Sequence, residues 1–182
     1  MTEQFHRPVT VREAVGLERR YRNRAAYLAG GTWLNSSDHD DPPQHVISLA
    51  GLGLDRVVVR PSRIEIGALC TLQRLLDDRR VPAPLRAALT QVVSRNTREM
   101  ATLGGVVAAG EPHSDVIPML LALEAVLVLA GSGRARRMCL EEYVGTRPVG
   151  LVTTILLSRL KAGRFAACRA LRVSANARSL VS

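Results

Sequence analysis

Apolar positions change their period several times along the chain. Val11, Ala14, Val15 and Leu17 recur at helical spacing behind Thr10, whose hydroxyl suits an N-cap, and the arginines from Arg19 to Arg24 suit the negative end of that helix. Residues 25–29 are short, apolar and stopped by Gly30-Gly31, the pattern of a buried strand running into a tight turn. The polar, acidic, proline-bearing run at 35–44 reads as a surface loop, and 45–49 as the next strand. Residues 56–69 form two strands, RVVV and RIEIGAL, about a Pro61-Ser62 turn.

Farther on, Thr71 heads a helix through LQRLLDDRR, and Pro82 or Pro84 suits the first turn of another through PAPLRAALTQVV. Ser114 is read as N-cap, with Asp115 in the first turn, for VIPMLLALE. EAVLVLAG and RARRMCL are strands joined by Gly131-Ser132-Gly133, Glu141-Glu142 opens a helix, and 149–157 is a further β-branched strand. The basic run at 159–178 has the weakest pattern. Strands and helices are mixed without strict alternation, so the expected class is α+β and not a doubly wound sheet.

Composition narrows the function classes. A 182-residue chain with 47% hydrophobic and 23% charged residues is expected to fold as one globular unit of one or two small lobes. The longest apolar stretch, 116–130, is broken by Pro118 and Glu124 and falls short of the roughly 20 residues of a membrane span. No signal peptide is visible, and a cytoplasmic location is expected. Cys70, Cys139 and Cys168 lack CxxC spacing, so no iron–sulfur or zinc centre is expected. His6, His39, His45 and His113 show no ligand spacing and read as surface or turn residues. The formal charge of +9 comes from dispersed arginines beside a single lysine, Lys161, and aromatics are only 3%, which disfavours nucleic acid and favours an acidic protein partner. No nucleophile, acid or base constellation stands out, and no catalytic residue is named.

Candidate chemistry rests on two glycine pairs: Leu28-Ala29-Gly30-Gly31-Thr32-Trp33-Leu34, after a strand candidate, and Ala101-Thr102-Leu103-Gly104-Gly105-Val106, before an apolar run read as a strand candidate. Backbone without Cβ atoms can approach a pyrophosphate and offer it N–H groups, with the threonine hydroxyls as added donors. From the residues alone a turn is the commoner use of such a pair. Neither pair fits GxGxxG or the Walker pattern, so a Rossmann nicotinamide site and a P-loop are disfavoured.

AGGTWL resembles the AGGTDL-type loop of the flavoproteins of molybdenum hydroxylases, the group of xanthine and carbon monoxide dehydrogenases. ATLGGVVAAGEPHSDVIPMLLALEAVLVL is similar to their ATIGGNIANASPASDLPPALLALDAEVVL-type stretch, and IGALCTLQRL to the IGALTTHAEL-type segment between. The resemblance covers about residues 1 to 175. It implies a two-lobed FAD-binding domain, with lobes at 1–55 and 56–160, and at 161–182 the opening of a C-terminal domain most of which is expected to be missing. It further implies that residues Leu28 to Leu34 wrap the FAD pyrophosphate and that Ala101, Thr102, Gly104 and Gly105 form the opposing wall. Ser114 and Asp115 would approach the adenosine part, although a helix cap explains that pair equally, and Leu151 would touch the flavin side. Trp33, where the family has Asp, covers a cofactor ring or fills the core, the core being the safer reading. Val106, Glu99 and Ala109 stand where polar, uncharged side chains are common in the family. The implied function is electron transfer through FAD to an acceptor such as NAD, with a molybdopterin-binding large subunit and a 2Fe-2S small subunit as partners. The alternative is a shortened subunit that keeps the fold as a scaffold without FAD.

Overall fold

The computed structural model describes residues 2, 4–35, 42–110, 114–159, 170–171 and 180–181. The chain opens with strand β1 (Gln4–His6), helix α1 (Val11–Tyr21) and strand β2 (Ala25–Leu28), and strand β3 (His45–Ser48) then inserts between β1 and β2, parallel to both. Thr10 caps α1 by accepting the Glu13 N–H at 3.1 Å, and the Glu13 carboxylate accepts the Val9 N–H at 3.0 Å. These reciprocal bonds satisfy donors that the first turn of a helix leaves open. Ala14 and Val15 of α1 pack on Ile47 and Leu49 in a small core.

The second sheet is antiparallel, in the order β4 (Val57–Val59), β5 (Arg63–Gly67), β8 (Leu151–Ser158), β6 (Val126–Ala130), β7 (Arg136–Cys139). Central β8 is buried along nearly its whole length, as its run of β-branched and leucine residues requires. Around this sheet lie α2 (Leu72–Asp77), α3 (Ala83–Thr90), α4 (Arg95–Met100), α5 (Leu103–Ala109), α6 (Val116–Ala122) and α7 (Leu140–Thr146). Apart from exposed α4, their apolar faces join Ile66, Leu127 and Ile155 in the larger core. The start of β8 reaches the smaller core as well, where Leu151 packs with Ala14, Val15, Ile47 and Leu49. The class is α+β, as expected. Two-residue strands β9 (Ala170–Leu171) and β10 (Leu180–Val181) pair antiparallel, and the rest of the basic tail lies outside the described residues.

Several sequence expectations are corrected. The helix begun at Thr71 stops at Asp77 and does not run through Arg80. The Asp78 side chain accepts the Arg80 N–H at 2.9 Å and grips its guanidinium, while Arg80 also donates to the Val57 carbonyl at 3.0 Å. That local alternative outcompetes another helical turn before Pro82. Residues 95–109, read without helices, hold α4 and α5, so the second glycine pair opens a helix and precedes no strand. His45 is buried, not a surface residue. As the first residue of the central parallel strand it is flanked by Gln4 and Ala25, and its ring stacks on Tyr21 at 3.7 Å and lies 3.3 Å, Nδ1 to Nε2, from His6.

Burial separates two thiols. Cys70 is fully buried, which pushes its pKa up, whereas Cys139 is exposed at the end of an edge strand. Alkylation of native protein at neutral pH, mapped by mass spectrometry, is expected to label Cys139 quickly and Cys70 only in denaturant. Arg80, mainly through its hydrogen bonds, holds the Asp78 carboxyl below the usual carboxylate range. A depressed folded pKa contributes stability above the unfolded value, near pH 4, and loses it as pH falls through the folded value. Urea titrations of Asp78→Asn should therefore show a lower midpoint at pH 7 and a gap that narrows in acid; a gap independent of pH would assign the effect to packing.

Candidate functional site

Between the turn after β2 and helices α4 and α5 lies a cavity of about 460 Å³, within the range of small-molecule sites. Its first wall is residues 29–34. Gly31 takes φ +74°, a left-handed conformation that suits glycine, and its carbonyl accepts the Asn35 N–H at 3.0 Å, closing the turn. A Cβ on Gly30 would collide with the Met100 carbonyl oxygen, so the two backbones touch there. The N–H groups of Gly30, Gly31, Thr32 and Leu34 donate to no partner among the described residues. This wall has unspent donors.

The opposing wall differs in kind. Thr102 caps α5 by accepting the Gly105 N–H at 3.1 Å, while the N–H groups of Leu103, Gly104 and Val106 donate to the carbonyls of Cys70, Ala68 and Thr102. The reading of Gly104-Gly105 as a donor cradle is therefore corrected: its N–H groups are consumed inside the protein. Gly104 serves packing, because a Cβ there would lie 2.5 Å from the Ala68 Cβ, and it is absent from the cavity lining. Gly105, Val106, Ala108 and Ala109 instead present a smooth apolar surface. Arg147 closes the far end of α5, donating to the carbonyls of Ala108 and Gly110 at 3.1 and 3.0 Å.

Of the remaining expected site residues, Ala29, Gly30, Gly31, Thr32, Trp33, Leu34, Ala101, Thr102, Gly105 and Ser114 line this one cavity. Leu28, Asp115 and Leu151 do not. Leu28 supports the turn from below, with its carbonyl accepting the Leu49 N–H at 2.9 Å, and Leu151 is in the smaller core instead of a flavin-side wall. The cap reading of Ser114 is corrected as well. Asp115 occupies the N-cap position of α6 and its side chain makes no cap hydrogen bond, while the Ser114 Oγ is buried on the cavity lining without a hydrogen-bond partner among the described residues. Such a hydroxyl costs about 1–3 kcal/mol until something bonds it. Trp33 does not fill the core: it is 43% exposed and borders both this cavity and an adjoining one of about 320 Å³.

Sequence reasoning passed over Tyr27, Thr97 and the Val92-Val93 link, all on the lining. Burial first, and the Glu18 carboxylate second, push the Tyr27 phenol well above its usual range, so it is neutral at physiological pH. No other described lining residue is titratable, and the polar groups of the described lining are backbone groups and the hydroxyls of Thr32, Thr97, Thr102, Ser114 and Tyr27, with the Trp33 indole. Val106 and Ala109, the departures noted in the sequence, do face it, whereas Glu99 is off the lining, 3.8 Å from Arg95 along exposed α4. Val93 has φ +41°, a conformation rare for a β-branched residue that costs on the order of 1–3 kcal/mol. Among the described residues no three metal-ligating side chains cluster, and no helix is long and apolar enough to cross a membrane.

The family model described as FAD binding domain in molybdopterin dehydrogenase matches residues 1–159. YgfM of Escherichia coli K12, an uncharacterised protein, is 40% identical over 157 residues, which cover 86% of this chain and 60% of YgfM. The nicotinate dehydrogenase FAD-subunit of Eubacterium barkeri is 31% identical, over 77% of this chain and 50% of its own length. Among solved structures, carbon monoxide dehydrogenase from Hydrogenophaga pseudoflava gives a TM-score of 0.89 at 25% identity, covering 98% of this chain and 67% of that one. The chain thus spans 60% or less of the length of these curated relatives.

The contact at Gly30 sets a test of the site's construction. Gly30→Ala must move the Met100 carbonyl and is expected to destabilise the protein by about 1–3 kcal/mol. Gly131→Ala, where a Cβ meets nothing within 4 Å, should change stability by less than about 1 kcal/mol. Urea denaturation of both variants measures the difference; equal effects would mean that the two segments do not touch.

Proposed function

This chain belongs to the family of FAD-binding domains of molybdopterin dehydrogenases, and on that premise we propose that it holds FAD in the cavity between the β2 turn and α5. It serves as the electron-transfer subunit of a molybdenum-containing hydroxylase or dehydrogenase of the xanthine dehydrogenase kind. One observation carries the reading: the N–H groups of residues 30–32 and 34 and the Ser114 hydroxyl, all without a partner among the described residues, border the same cavity. A dinucleotide suits these walls. Its pyrophosphate accepts hydrogen bonds from the turn, and its planar rings suit the small apolar face of Val106, Ala108 and Ala109.

The flavin, when bound, supplies the redox chemistry. The protein's share is to hold and enclose it. Gly31 and Thr32 orient the phosphates through backbone and hydroxyl donors, Ser114 bonds a polar group beside α6, and Leu72 and Val92 exclude water. The described lining has no ionised acid or base, in keeping with a subunit that relays electrons and leaves proton transfer elsewhere. A molybdopterin-binding large subunit and a 2Fe-2S small subunit are the proposed partners and NAD the acceptor, and the +9 charge suits an acidic docking face.

A scaffold without FAD is the second reading, favoured by the apolar Val106 and Ala109 and by the consumed N–H groups of α5. Trp33 is the sole tryptophan and borders the cavity, so its emission reports binding. Titration with FAD is expected to quench it saturably with a micromolar or tighter Kd, and Ala109→Leu, which adds bulk on the cavity lining, to weaken binding at least about tenfold. No saturable binding, with or without the candidate partners, would replace this reading with the scaffold.

A further inference from the structure

Helices α3 and α4 are joined by a very short link. Val92 closes the end of α3 into the larger core, Val93 turns with φ +41°, and Ser94 already caps α4. Such a reversal leaves neighbouring carbonyls in need of donors, and one guanidinium provides them. Arg98, a turn into α4, donates from Nη1 to the carbonyls of Val92 and Val93 at 3.0 and 2.8 Å. Its Nε donates to the Gln73 Oε1 at 3.0 Å, and buried Gln73 turns its amide nitrogen to both carboxylate oxygens of Asp77, at 3.1 and 3.0 Å. The chain of bonds runs from α2 to the link and leaves the Gln73 amide bonded on both sides.

The link is part of the site. Val92, Val93, Thr97 and Ala101 line the cavity from α3's end through α4, yet Arg98 is absent from the lining. A charge-assisted fork of this kind is strong enough to hold a β-branched residue where it would not otherwise rest. Lysine, a point donor without the fork, cannot bridge both carbonyls and Gln73 together. We infer that Arg98 is a positioning residue of the FAD site: by holding Val93 in the left-handed conformation it sets the α4 wall of the cavity. The inference rests on the FAD reading for its ligand, and on geometry alone for the clamp.

The test is a double-mutant cycle with Val93→Gly, since glycine takes a positive φ without needing a clamp. In the Val93 background, Arg98→Ala should raise the Kd for FAD, read from Trp33 quenching, about tenfold, and Arg98→Lys about threefold or more. In the Val93→Gly background the same Arg98→Ala change should cost less than about threefold. Thermal unfolding of the ligand-free variants, which also shows that each is folded, should give the same coupling, with a smaller drop in Tm from Arg98→Ala once Val93 is glycine. An unchanged Kd in Arg98→Ala, or an equal loss in both backgrounds, would overturn the positioning role. Coupling in Tm alongside a wild-type chain that takes up no FAD would instead overturn the FAD reading and leave the clamp standing.

Discussion

The meeting of Gly30 with the Met100 carbonyl decides the shape of everything around the site. One backbone belongs to the turn that ends β2 in the parallel sheet, the other to the end of α4 beside the antiparallel sheet. Because no side chain separates them, the turn and α4 meet edge to edge, and the cavity opens between the turn and α5 as a consequence. The junction is reinforced elsewhere. Leu151, at the start of β8, completes the small core under α1 and β3, so the two sheets share buried surface, and Tyr27 and Ala29 connect that core to the cavity lining. The α5 helix is seated by Gly104 against Ala68 and by the Leu103 and Gly104 N–H bonds to Cys70 and Ala68.

Two similar glycine pairs thus do unlike work. The first leaves its backbone donors without a partner among the described residues and turns through a left-handed residue, an arrangement that suits an anion. The second gives its donors to the protein and uses the missing side chains for close packing, at Gly104 against Ala68 and at Gly105 against the Thr102 hydroxyl that caps the helix. No ionised side chain is among the described lining residues, and backbone dipoles in a low-dielectric pocket carry more weight than they would in water.

Strain and its support are placed where the wall must be exact. Val93 is held in an unfavourable conformation by a guanidinium whose own partner, Gln73, is anchored to Asp77. Nε and Nη1 of Arg98 and both ends of the Gln73 amide are engaged along that chain, which favours one arrangement of the link.

Much of this was legible in the residues. Thr10 and Thr71 announced their helices because a cap is a local bond between a side chain and an N–H three residues on, and the β-branched runs at β4–β6 and β8 announced strands by period and composition. The α+β class and the position of the first glycine turn followed from the same local rules. Helix α5 left a signal too, in Thr102, the core-facing Leu103 and Val107, and the left-handed Gly110, but the glycine pair masked it by lowering helix propensity. What the residues alone could not decide depends on neighbours distant in sequence. Whether Gly104's N–H is free, whether the Ser114 hydroxyl has a partner, whether Leu151 faces a cavity or a core, and whether Trp33 is covered are questions of what packs against each from elsewhere. Hydrogen-bond capacity is a property of a residue; its consumption is a property of the fold.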